Sequence, residues 1–156
     1  MFWLKLFVTL LLICIAYEDF KHRMVKLIYY LLLIVALLFI RFETIQLEDF
    51  FIHFGMNLAY LLLLLSTSLF TLYLFRRKVS NPLVYIGPGD LILLFTFCLW
   101  FDLLNFVIFN TISLILALLV HIVLSRYAFY SKHGTIPLAG IQCLCFFLVF
   151  INDFLQ

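Results

Sequence analysis

The sequence predicts an all-α polytopic membrane protein with about six transmembrane helices in one bundle, and three observations carry that expectation. First, 67% of the 156 residues are hydrophobic and 12% are charged, with a mean hydropathy of +1.24. A soluble domain of this size could not hide so much apolar side chain, so the solvent must be largely lipid. Second, the apolar residues form near-continuous runs, whereas barrel strands alternate, and continuity selects helices. Third, charged knots separate the runs with no soluble segment, repeat or long linker, so residues 1–156 read as a single membrane domain.

The first run, residues 2 to 17, has no basic start beyond Lys5 and ends in "CIAYEDF", a weak cleavage site. It reads as a retained helix and not as a signal peptide. The second run, 27 to 40, and the fourth, 91 to 101, are shorter than the roughly 20 residues that cross a hydrocarbon core. Either their ends extend into flanking Tyr, Phe and polar residues, or one of them enters the membrane without crossing, which leaves five spans or an irregular fourth segment as the rival. Residues 52 to 75, 103 to 124 and 136 to 152 complete the set.

Loop charge orients the bundle. Lys21, Arg23 and Lys26 follow the first run, Arg76, Arg77 and Lys78 the third, and Arg126 and Lys132 the fifth. The alternate connections hold Arg41 with Glu43, Glu48 and Asp49, then only Asp102. Basic loops face the cytoplasm, so the odd-numbered connections are expected there and both termini outside. These charges mark topology and give a nucleic-acid partner no support.

Other polar residues read simply. Cys14, Cys98, Cys143 and Cys145 lie within apolar runs without CxxC or metal-ligand spacing, as small buried side chains. His22, His53, His121 and His133 also lack a compact ligand spacing, so no metal is expected. Ser66, Ser68 and Ser113 suit bonds to helix carbonyls, and Asn57, Asn105 and Asn110 call for an interior or polar pocket. Tyr29, Tyr30, Tyr73, Tyr85, Tyr127 and Tyr130 cluster near cytoplasmic boundaries as interfacial anchors.

The chemistry lies in the carboxylates. Asp19, beside Glu18, ends the first run, and Asp90 opens the fourth from the same side, so the two sit at similar depth. Asp102 lies roughly 18 Å farther along a helix and belongs to the opposite face. Two opposed carboxylates suit peptide hydrolysis: the ionised one takes a proton from water while the neutral one polarises the scissile carbonyl. A solvated carboxylate or a helix cap is the competing use of each. Neighbours on a helix differ by about 100°, so only one of Glu18 and Asp19 aims at Asp90. "GPGD" supplies the setting: Gly87 and Gly89 allow special angles or close approach, and Pro88 fixes a dihedral before the helix. It lacks the Lys and Ser/Thr of a phosphate loop.

These residues resemble the type IV prepilin peptidases, including the archaeal preflagellin peptidases. That family of membrane aspartic proteases has a six-helix core, one aspartate at the cytosolic end of the first helix and a second in a GxGD motif opening the fourth. Gly87-Pro88-Gly89-Asp90 matches the motif and Asp19 the first position. Residues 19–26, "DFKHRMVK", resemble the first loop, with Met24, Val25 and Lys26 where Ile-Pro-Asn is usual; Ile92 stands where Lys is common. "TIPLA", residues 135–139, is similar to the entry of the last helix.

The resemblance implies an Asp19/Asp90 aspartic endopeptidase of the prokaryotic inner membrane that needs no cofactor. Its partners would be membrane lipid and a pilin-like or other leader-bearing precursor, cut between basic leader and apolar helix. The N-terminal region of the bifunctional members has no counterpart here, which implies cleavage without N-methylation. Lys21, Arg23 and Lys26 either position the substrate or the loop, or serve only as topology markers. A noncatalytic membrane assembly subunit and a small transporter are the alternatives.

Overall fold

The computed structural model describes residues 2–22, 24–75, 87–124 and 137–155. They form six helices: α1 (Phe2–His22), α2 (Leu27–Thr44), α3 (Leu47–Phe75), α4 (Pro88–Cys98), α5 (Leu103–Leu124) and α6 (Leu138–Leu155). Arg23, Arg76, Arg77, Lys78, Tyr85, Arg126, Tyr127, Tyr130, Lys132, His133, Thr135 and Ile136 lie outside the described residues.

The bundle is inverted with respect to a soluble one in where its large apolar side chains go. Leu63, Phe70, Leu104 and Leu148 stand more than three-fifths exposed, while Asn57, Asn110, Ser113 and Gln142 are fully enclosed. Lipid solvates the first group and cannot solvate the second. Three helices are long and apolar enough to cross a membrane: α2, α5 and residues 47–71 of α3. The protein is an integral membrane protein with several candidate spans. Only the run 103–124 keeps its expected bounds: α1 continues past residue 17 through Asp19 to His22, α2 runs to Thr44 instead of 40, α3 begins at Leu47 instead of 52, α4 spans 88–98 instead of 91–101, and α6 spans 138–155 instead of 136–152.

Because lipid is as apolar as leucine, helices here are held by close packing and internal hydrogen bonds more than by exclusion of water. α1 packs most extensively on α6, and α2 bridges α1 to α4. Val8, Ile15, Leu33, Leu93, Phe97, Phe106 and Phe146 form the sealed centre. Its middle is aromatic: Phe97 lies 4.8 Å from Phe146 and 5.0 Å from Phe109, and Trp100 lies 5.3 Å from Phe150. Such pairs add about 0.5–1.5 kcal/mol each beyond area burial.

The short fourth run is a real feature of the fold. With 11 residues, α4 reaches only roughly 16 Å, and the chain turns at 99–101 before Asp102 leads into α5. A helix end at that depth leaves carbonyls that no water can reach. Asn57 supplies the donor, its Nδ2 lying 3.0 Å from the Cys98 carbonyl and 2.5 Å from that of Phe101. α3 thereby anchors the break that fixes the length of α4.

Candidate active site

α4 begins where Gly87 leaves an extended backbone, φ −60° and ψ 132°, and Pro88 enters the first turn. Proline suits that position because its missing N–H would have no helical partner there. Asp90 N and Leu91 N both donate to the Gly87 carbonyl, at 3.1 and 3.2 Å, so the turn closes at once and Asp90 falls in its first coil. Gly87 needs no left-handed angle. What glycine provides in this motif is space: a Cβ on Gly89 would stand 2.9 Å from the Tyr30 hydroxyl, and one on Gly87 would stand 3.0 Å from Asp90 Oδ2. Tyr30, in the first turns of α2, is 2% exposed and cannot swing away. It is therefore a wall of the site, and the expectation that it anchors at the interface is corrected; exposed Tyr73 keeps that character.

The other carboxylate comes from the end of α1. Asp19 is buried, at 8% exposed, and its Oδ2 accepts a 2.6 Å hydrogen bond from the Gly140 N–H. Asp19 and Asp90 are close enough to act on each other electrostatically, and the Ala139 N–H acts on Asp90 from the same end of α6. The Ala139 and Gly140 N–H groups thus open the first turn of α6 toward the two carboxylates, with Gly140 bonding Asp19 directly. Those N–H groups have no partner within the helix, and a helix N-terminus carries partial positive charge, so both features favour an anion. Gly140 is required by contact: a Cβ there would lie 3.0 Å from the Phe20 ring and 3.1 Å from Asp19 Oδ2. Tyr30 acts electrostatically on both aspartates, and the fully buried Cys143 lies near Asp19.

The remaining expected residues distribute around this centre. Glu18 is turned to the side of Lys21, which itself donates to the Tyr17 hydroxyl at 2.9 Å and lies over that ring. Lys26 is exposed at the start of α2, and Arg23 lies outside the described residues. Asp102 belongs to the far end of α4, where Arg41 pairs with it. Ser66, Ser68 and Ser113 bond helix carbonyls. Cys98 and Cys143 are buried, but Cys14 is exposed on α1 and so departs from the expectation of a buried thiol. Among the described residues, no three His, Cys, Asp or Glu side chains are grouped as a metal site.

Ala139, Gly140 and Tyr30 are the site residues that sequence reasoning passed over. The Pro137 entry to α6 and the glycine three residues later signal a helix start with room for close approach. Neither names the carboxylates that would use it. Comparison with protein-family models, curated proteins and solved structures finds no match to this chain.

Proposed function

We propose that this protein is an intramembrane aspartic endopeptidase of the prepilin-peptidase kind, acting in the prokaryotic inner membrane with its site toward the cytoplasm and both termini outside. The observation that supports the reading is Asp19, bonded to the Gly140 N–H at the start of α6, within electrostatic reach of Asp90. Interacting carboxylates cannot both be charged cheaply, so in the proposed site the pair shares one proton. The proton belongs to the pair and not to either residue.

In the proposed reaction the ionised carboxylate removes a proton from water as the water oxygen attacks the scissile carbonyl carbon. The neutral carboxyl donates its proton to the carbonyl oxygen. Collapse of the tetrahedral species breaks the C–N bond, with a carboxyl proton passing to the leaving amine. The substrate is a pilin-like precursor whose apolar helix lies in the membrane and whose basic leader reaches the carboxylate end. Holding that peptide bond in place removes much of the entropic cost of the bimolecular step. Cleavage without N-methylation is part of the proposal.

The aromatic packing favours a peptidase over a transporter. A transport path would have to run from the carboxylate end to the Arg41–Asp102 end, and Phe97, Phe109 and Phe146 fill the bundle between them. The test is cleavage of a panel of leader-bearing precursors by purified protein in lipid, beside Asp19→Asn and Asp90→Asn. Processing by wild type that both variants abolish is expected. Processing that survives in both would reject the Asp19/Asp90 dyad.

A further inference from the structure

The end of the bundle opposite the carboxylates holds a cleft of about 420 Å³. Its rim is polar. Arg41 Nη2 lies 3.3 Å from Asp102 Oδ1, the guanidinium stands 5.8 Å from the Trp100 ring centre, and Asn105 Nδ2 donates to Asp102 Oδ2 at 2.9 Å. The two charged side chains differ in access: that of Arg41 is 15% exposed and that of Asp102 is 50% exposed. Below the rim the walls are apolar, with Ile108 and Ile112 of α5 facing Val149 of α6. Asn105, Ile108 and Ile112 follow at intervals of three and four, so they form one stripe that descends roughly 10 Å along α5. Exposed Ile115 and Leu119 continue it toward the bundle middle.

From this geometry we infer that the cleft is a binding site for one phospholipid with an amine-bearing zwitterionic headgroup, of the phosphatidylethanolamine class. A guanidinium carries five donors in a planar fork and can take a phosphate oxygen beside a carboxylate. An ionised carboxylate offers about four lone-pair positions, and Arg41 and Asn105 engage Asp102 through one oxygen each. Asp102 thus has capacity for an ammonium on its open side. The ligand must therefore present phosphate and ammonium a few bonds apart. The apolar stripe adds a second requirement, an acyl chain leading from the headgroup into the membrane. A soluble phosphate satisfies neither the Asp102 side nor the stripe, and a purely anionic lipid satisfies Arg41 but meets like charge at Asp102. Placement agrees with this occupant. Arg41 lies one turn before the end of α2 and Asp102 directly precedes α5, so both stand at ends of helices long and apolar enough to cross a membrane.

The test is delipidation of the purified protein, reconstitution with equimolar phosphatidylethanolamine and phosphatidylglycerol, and native mass spectrometry of the lipid retained. Parallel thermal melts use each lipid, phosphatidylcholine, glycerophosphoethanolamine without chains, and inorganic phosphate. Wild type should retain the ethanolamine lipid about tenfold over the glycerol lipid, the size of one good charge-assisted contact. Phosphatidylcholine should stabilise less, because its quaternary ammonium has no N–H to donate. Asp102→Asn should erase the preference. Ile112→Trp, which fills the apolar stripe and leaves the ion pair, should lower retention of both lipids while the lipid-free melting temperature stays within a degree or so of wild type. Equal retention of the two lipids by wild type, a preference that persists in Asp102→Asn, or equal protection by phosphate or the chain-free headgroup would overturn the assignment.

Discussion

Asp90 stands in the first turn of α4 and Asp102 directly before α5, and the structure holds these two aspartates differently. Asp102 is held by a cation, with Arg41 at 3.3 Å and Asn105 beside it. Asp90 lies within electrostatic reach of a second carboxylate, Asp19, which accepts a hydrogen bond from the Gly140 N–H of α6. A guanidinium supplies a carboxylate with a full countercharge. Peptide dipoles attract an anion without supplying a full countercharge, so an acid pair beside them remains able to exchange a proton. The difference separates a structural or ligand-holding aspartate from a candidate catalytic one, although the two are only 12 residues apart in the chain.

The strongest way to break this comparison is to remove one member of the pair. Asp19→Asn or Asp90→Asn should lower precursor cleavage by on the order of 10³-fold or more, because the lost group is both proton donor and acceptor. Circular dichroism should show unchanged helix content. Next is the backbone cradle. Gly140→Ala places a methyl 3.1 Å from Asp19 Oδ2 and 3.0 Å from Phe20, and should cost roughly 10²-fold in cleavage, since small misplacement of reacting groups is expensive. Gly55→Ala is the control, since no atom stands within 4 Å of its added methyl.

At the far end the currency changes from rate to stability. Asn57→Leu removes the donor to the Cys98 and Phe101 carbonyls and should destabilise the protein by about 1–3 kcal/mol, the cost of orphaning buried acceptors. A lower melting temperature with cleavage retained below it would uphold the division of labour. Loss of cleavage in the still-folded variant would show that the two ends are coupled. The smallest effect sharpens the first region: Tyr30→Phe deletes only the hydroxyl near both aspartates and should reduce cleavage by about tenfold with substrate KM unchanged. An altered KM alone would make Tyr30 a substrate contact.

Much of the bundle was legible because lipid imposes so blunt a code. Apolar runs must be helices, charges must collect at their ends, and Asp19 and Asp90 must share a depth once the runs alternate in direction. The angular step of a helix says only that Glu18 and Asp19 do not both aim at Asp90, and the resemblance favours Asp19; the packing of α1 on α6 buries Asp19 against the Gly140 N–H. Tyr30 misled for a related reason. A tyrosine at a membrane edge has the same composition whether it faces headgroups or a neighbouring helix, and its burial depends on which side of α2 meets α4. Cys14 shows the converse, an apolar-run thiol that lipid leaves exposed.

The sequence by itself determined the solvent, the helical class and the spacing of the carboxylates along the chain, because each follows from hydropathy and local backbone geometry; it marked the fourth run as short without placing its break. Tertiary structure alone decided what holds those carboxylates. The Gly140 N–H lies 121 residues along the chain from the Asp19 carboxylate it bonds, and a backbone donor leaves no mark in side-chain chemistry. The same limit hid the Asn57 clasp and the cleft beside Arg41. Both are made by residues brought together across helices, where the packing of one surface on another, and not any local preference, selects the partner.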